Sequence, residues 1–225
     1  MTPDVVAAIP PATVTDVDAL ADPRWEALVT ANATTVFHSP RWLRVLAGTY
    51  GFPIRARLLA DAAGATTAGM TYVTVADFMD TRIVSLPFSD FCDPVATDTA
   101  QWRALIDGLV ARCARIDLRC LHNDLPLADP RFAVVDRALW HAIDVHPDQD
   151  AMWQALPGAA RRALRKAQAS DVTVRAGESE ADMRAFYDLH LRVRKYKYGL
   201  LAQPYGFFSQ IWEQFIASGH GVLLL

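Results

Sequence analysis

Four cations crowd one short segment: Arg161, Arg162, Arg165 and Lys166 fall at i, i+1, i+4 and i+5. At about 100° per residue in a helix they share an arc of roughly 140°. Leu156, Ala160, Ala163, Leu164 and Ala167 fill the opposite arc. A solvated helix normally mixes signs to gain i,i+4 pairs, and like charges at that spacing repel. No acid is interleaved here. The pattern points to an anionic partner such as a phosphate or nucleotide, or else to a plain basic surface. A second group, Arg192, Arg194, Lys195 and Lys197, alternates with Tyr196 and Tyr198. Its cations point several ways. Arg194 shares an arc with Tyr187 and His190 and is expected to face inward, where it needs a carboxylate or a substrate phosphate.

The loop Pro87–Pro94 holds Ser89, Asp90 and Asp93 beside Phe88 and Phe91 at the end of an apolar run. Loops at strand ends commonly carry binding groups. The alternative is an Asx-type turn in which Asp90 and Asp93 bond their local backbone. Other chemistry finds little support. The chain has no GxGxxG and no GxxxxGK[ST], so neither a dinucleotide fingerprint nor a P-loop is present. The Gly-rich pyrophosphate turn of acyl-CoA acetyltransferases is missing as well. Ser89 lacks a nucleophile-elbow context, so a hydrolase triad is not supported. The six histidines are scattered; His190 and His141 read as core histidines, and His122 with Asp124 lacks a third metal partner.

The totals set limits. A chain of 225 residues can bury one large core or two modest ones. A net charge of −3 argues against bulk, sequence-independent nucleic-acid binding, duplex DNA included, and confines any polyanion contact to a local patch. Cys92, Cys113 and Cys120 show neither metal spacing nor an even count for a disulfide framework, and Cys113 is expected to be buried and reduced. No signal peptide and no membrane span of about 20 residues is visible, so a cytoplasmic location is expected.

Several elements must position these groups. Residues 1–11 are expected to be frayed. Thr13–Val17 reads as a strand, Asp22-Pro23 and Ser39-Pro40 as helix starts, and Gly51 as a helix stop. Ile54–Ala60 and Thr66–Ala76 form a hairpin across Asp61–Gly64, and Thr81–Leu86 is a further strand. The stripe Trp102, Leu105, Ile106, Leu109, Val110 and Cys113 predicts a helix. Ile116–Leu121 and the alternating Phe132–Val145 read as strands, followed by a helix from Pro157 over 157–169 and a strand Val172–Arg175. Ser179 with Asp182 is a capping-box variant ahead of the stripe Met183, Phe186, Tyr187, His190 and Val193. Pro204 opens a last helix that ends at Gly219. Val222–Leu225 reads as the start of a buried strand, which suggests that the remainder of a second unit lies elsewhere. The order predicts an α/β (α+β) fold in two units, 1–145 and 146–225.

Phe37-His-Ser-Pro-Arg-Trp42, Ser85-Leu-Pro-Phe-Ser-Asp90 with Cys92 and Pro94, and the block Arg161–Gly199 together resemble FemAB-type proteins. The order basic helix, Val172-Thr-Val174, Phe186-Tyr187, Arg194, then Phe207-Phe208 adds to this. That family comprises tandem GNAT-like acyltransferases, among them peptidoglycan interpeptide-bridge aminoacyltransferases and a branch associated with exopolysaccharide and exosortase systems. The resemblance implies a GNAT-like mixed sheet flanked by helices, then the incomplete opening of a second GNAT-like domain. It implies transfer of an acyl or aminoacyl group from acyl-CoA or aminoacyl-tRNA to an amine of a phosphate-bearing cell-wall or envelope-glycan precursor. No bound cofactor or metal is needed for that chemistry. Arg161, Arg162, Arg165, Lys166 and Arg194 would grip a donor or acceptor phosphate, with Ser89 and Asp90 as further substrate contacts. Two rival readings stay open: a non-catalytic binding or assembly module completed by another chain, and an acetyl-CoA-dependent N-acetyltransferase.

Overall fold

The protein is described by a computed structural model covering residues 12–76, 78 and 80–225. Residues 1–11, expected to be frayed, lie outside the described part. Five strands form one mixed sheet in the order β1 (Thr13–Asp18), β2 (Arg55–Ala60), β3 (Thr66–Ala76), β4 (Thr81–Val84) and β5 (Ile116–Asp117). The first four pair antiparallel, and β5 joins β4 in parallel. The α/β class with helices flanking a mixed sheet is therefore as the sequence predicts.

The helices begin and end where local chemistry requires. Helix α1 (Pro23–Ala31) is capped by Asp22, whose carboxylate accepts from the Arg24 amide, and Pro23 needs no amide partner there. Helix α2 (Pro40–Tyr50) is capped by Ser39 and stops at Gly51, which takes φ of 68°. Helix α3 (Thr99–Val110) starts at the Asp98 cap.

Alternation on the strands sends side chains to two cores. Trp25, Leu28, Leu43 and Leu46 of α1 and α2 cover Ala56, Leu58 and Val73 on one face. Trp102, Leu105, Ile106 and Leu109 of α3 cover Leu59, Ala68, Met70 and Tyr72 on the other. Each fully buried side chain of this size contributes about 1.5–3 kcal/mol. Beyond the sheet come α4 (Gln149–Ala155), α5 (Gly158–Gln168), α6 (Glu180–Leu191) and α7 (Tyr205–Ile211). Helices α6 and α7 each run on into a π-helical turn, Arg192–Lys197 and Trp212–Ile216. Met183, Phe207, Phe208 and Leu223 enter the same core as α1 and α2. Ser179 and Asp182 form the capping box on α6.

Four expected strands are shortened or not realised. Residues 132–145 form no strand, and Val135, Leu139, Ile143 and Val145 are exposed. Alternation supplies a sheet-ready face, but no neighbouring strand offers amides to it. Ile116–Leu121 contracts to two residues, because the chain beyond Asp117 bonds to the loop after β4 instead. Val172–Arg175 and Val222–Leu225 meet only as a short antiparallel bridge, with the Arg175 amide donating to the Leu225 carbonyl and the Gly177 amide to the Leu223 carbonyl. Helix α5 starts at Gly158, with Pro157 just ahead of it. Cys113 is half-buried, not sealed in, and its thiol donates to the Thr81 carbonyl.

Gly69 on β3 sets how closely α1 approaches the sheet. A Cβ there would sit 2.8 Å from Leu28 Cδ2 and 2.9 Å from Leu58 Cδ2. Alanine ordinarily favours a strand over glycine. Here Gly69→Ala is expected to destabilise by about 1–3 kcal/mol through overpacking, read as a lower urea midpoint.

Candidate functional site

The loop after β4 is held by side chains from three directions. Ser89 is 1% exposed, and its Oγ accepts the Trp42 indole N–H at 2.8 Å. Its carbonyl accepts from Arg119 Nη1 at 2.9 Å. The hydroxyl expected to touch substrate thus fixes Trp42 on α2 instead. Asp90 is exposed, one residue away and facing solvent. Just ahead of them the chain turns through Phe88, whose φ of 56° is the left-handed region, a cost of about 1–2 kcal/mol for a residue with a Cβ. Phe88 stacks on Tyr50 at 4.2 Å and 6° between planes, which offsets about 0.5–1.5 kcal/mol of that cost.

Asp93 departs from the local-turn expectation. Its Oδ1 accepts three consecutive amides from a distant segment: Leu121 at 2.9 Å, His122 at 3.1 Å and Asn123 at 3.0 Å. The Asp93 carbonyl accepts from His38 Nε2 at 2.8 Å. A carbonyl can only accept, so Nε2 carries the imidazole proton. Bare Nδ1 then accepts from the Thr35 hydroxyl at 3.0 Å and the Thr35 amide at 3.3 Å. His38, 2% exposed, is kept neutral: burial lowers its pKa, against the opposing pull of the Asp93 carbonyl. The His38 carbonyl in turn accepts the Trp25 indole N–H. Beside this network lies a cavity of about 270 Å³, walled by the 32–38 segment, residues 93–97 and His122-Asn123. A second, larger hollow of about 550 Å³ lies between α6 and the loop 199–204, lined by Tyr187, Leu191, Lys195 and Leu200 among others.

The α5 cations stand apart from both hollows. Arg162, Arg165 and Lys166 are exposed; Arg161 is half-buried and reaches Gln154 Oε1 at 3.4 Å. The Arg165 guanidinium lies over the Trp153 ring at 5.5 Å. None of the four makes an ion pair among the described residues. Leu164 on the apolar arc is 43% exposed, and no α5 side chain is fully buried. Arg194 does face inward in part, but its Nε donates to the Leu201 carbonyl at 2.9 Å. A backbone carbonyl stands where an anion was expected, and no hydrogen bond or ion pair joins Arg194 to the α5 cations among the described residues.

Cys92 is buried and Cys120 half-buried, and desolvation pushes both thiols up to about 12, away from the thiolate form. Among the described residues no helix is long and apolar enough to cross a membrane, and no group of three His, Cys, Asp or Glu side chains is placed to hold a metal ion. Neither the protein-family models nor the curated proteins searched give a match to this chain.

His38 and Asn123 were not singled out by residue type. The amide triplet that Asp93 holds lies 28–30 residues away, past any local turn rule, and only the preceding Phe37-His-Ser-Pro pattern touched this region. The neutral His38 makes stability depend on pH. The unfolded chain takes up a proton near pH 6.5 that the fold resists, so stability is full above that pH and falls as pH drops toward the lower folded value. The slope reaches at most about 1.4 kcal/mol per pH unit. Urea unfolding at pH 7.5 and 5.5 should show a smaller loss in His38→Gln, whose amide can still donate to the Asp93 carbonyl.

Proposed function

We propose that this chain is a FemAB-like acyl- or aminoacyltransferase, or a portion of one, that docks a phosphate-bearing reactant on α5. The observation that carries this reading is a helix face with four cations and no ion-pair partner among the described residues. Uncompensated like charges repel, so the face is more favourable with an anion bound. The face is largely exposed and lines neither hollow. Such a surface suits a run of spaced phosphates, as in the backbone of an aminoacyl-tRNA, better than a single enclosed pyrophosphate, as in acyl-CoA. The absent Gly-rich pyrophosphate turn points the same way, and weighs against an acetyl-CoA-dependent N-acetyltransferase. The GNAT-like character of the sheet and the division at residues 145–146 belong to this proposal, with an amine of a cell-wall or envelope-glycan precursor as acceptor. The chemistry asks for a neutral attacking amine, amide donors at the developing oxyanion, and a protonated leaving group. Positioning of the reactants by phosphate contacts can itself supply several kcal/mol.

A second reading, a non-catalytic assembly module, is favoured by one observation. The segment 135–145 exposes Val135, Leu139, Trp140, Ile143 and Val145, an apolar display that a partner could cover.

The two separate in a binding experiment. Titration with aminoacyl-tRNA, acyl-CoA and a nucleotide-sugar is expected to show saturable tRNA binding. With four phosphate contacts, affinity should fall roughly 50- to 150-fold between 50 and 200 mM salt. Arg162→Ala with Arg165→Ala should halve the slope of log affinity against log salt. Binding that ignores salt, or that the double variant leaves intact, would remove α5 from the function.

A further inference from the structure

The cavity beside Asp93 has a one-sided hydrogen-bonding character. Asp93 is 8% exposed, and all three amides it receives go to Oδ1. Oδ2 makes no hydrogen bond to the described residues, yet it is not among the sealed, unpaired polar atoms, so it keeps accessible surface on a residue that lines the cavity. Most side-chain donors around it are already committed. The Thr34 hydroxyl donates to the Val29 carbonyl at 3.2 Å and the Thr97 hydroxyl to Gln101 Oε1 at 3.2 Å. The Thr35 hydroxyl donates to the bare His38 Nδ1. Asn123 Nδ2 donates to the Pro94 and Ala96 carbonyls, each at 2.9 Å, and Asn32 Nδ2 to the Leu28 carbonyl at 2.8 Å. What these side chains still offer is chiefly lone pairs: one carboxylate oxygen, the Asn32 amide oxygen and three hydroxyl oxygens. The second Asn32 amide hydrogen and the His122 ring, edge-on to Phe91 at 5.5 Å, are the lining side-chain donors with no hydrogen bond among the described residues.

Such a lining selects a ligand that donates and carries positive charge. No Lys or Arg lines the cavity to neutralise Asp93, and the buried carboxylate sits where water screens little. The space corresponds to about nine waters at ~30 Å³ each, enough for a small molecule and too little for a polymer. A hard divalent metal is a poorer match, since it takes six or more oxygens and prefers several carboxylates, whereas one acid faces this space. We propose that the cavity is a binding site for a compact organic ammonium ion, whose N–H groups donate to Asp93 Oδ2 and to the surrounding hydroxyl oxygens. The site is independent of the α5 cations and of whether the chain transfers acyl groups.

The test is an amide chemical-shift titration of the intact chain, following residues 121–123, with ethanolamine as probe. Ethylene glycol replaces the ammonium by a neutral hydroxyl, acetate reverses the charge, and calcium chloride tests a metal. Saturable shifts with ethanolamine alone are expected. Asp93→Asn keeps an oxygen for the three amides but turns a donor toward the cavity, and is expected to weaken ethanolamine about 10- to 150-fold, the range for a lost charge-assisted hydrogen bond. Ala33→Leu, at an exposed rim position, should weaken it by filling the space, and supplies the readout should Asp93→Asn not fold. Equal response to ethylene glycol or calcium, absence of saturation at tens of millimolar ethanolamine, or unchanged binding in the variant that folds would overturn the proposal.

Discussion

One carboxylate oxygen holding three successive amides ties the sheet to its periphery. The β4–β5 pairing spans only two residues on each strand, too few to fix a parallel edge alone. Beyond it the two chains stay stitched by other means. The Ser85 amide donates to the Asp117 carbonyl, the Arg119 amide to Ser85 Oγ, and the Cys92 amide to the Arg119 carbonyl. Asp93 then closes the run on residues 121–123, and through its carbonyl reaches His38 and so Trp25 at the centre of the α1 core. Burying a carboxylate costs less when donors meet it, and here three backbone amides meet Oδ1. The same bonds that stabilise the charge therefore fix the loop.

Other aspartates repeat this role at smaller scale. Asp129 Oδ2 accepts the buried Trp102 indole N–H at 2.9 Å, and Arg131 grips the same carboxylate, holding it well below the usual carboxylate range. This anchors the chain beyond β5 against α3. Asp182 caps α6 through the Glu178 and Ser179 amides while pairing with Arg175, so one side chain sets both the helix start and the short bridge to residues 223–225. In each case a short acid acts on the backbone or on an indole, where a longer side chain would reach past it.

How much of this is legible in the sequence follows from range. Helix starts at Asp22-Pro23, Ser39-Pro40 and Ser179 are local, since cap and amide lie within three residues, and they stand where the spacing puts them. The hairpin and the Trp102–Leu109 stripe are equally local. Residues 132–145 show the opposite case: alternation reports a face suited to a sheet and carries no information about whether a partner strand exists. Arg194 does lie partly inward, as its arc implies, but which acceptor waits there depends on the loop at Leu201, set by tertiary packing. The partner of Ser89 is out of range for a related reason: the indole that its hydroxyl accepts from belongs to Trp42, 47 residues earlier in the chain.

The turn at residues 121–123 presents its amides in a row, an arrangement well suited to cradling an external oxyanion. Here that receptor is occupied permanently, by a group the chain itself supplies from β4's far side. The molecule thereby commits this row of amides to internal architecture. An acid and several hydroxyls therefore line the hollow beside amides that no outside anion can reach.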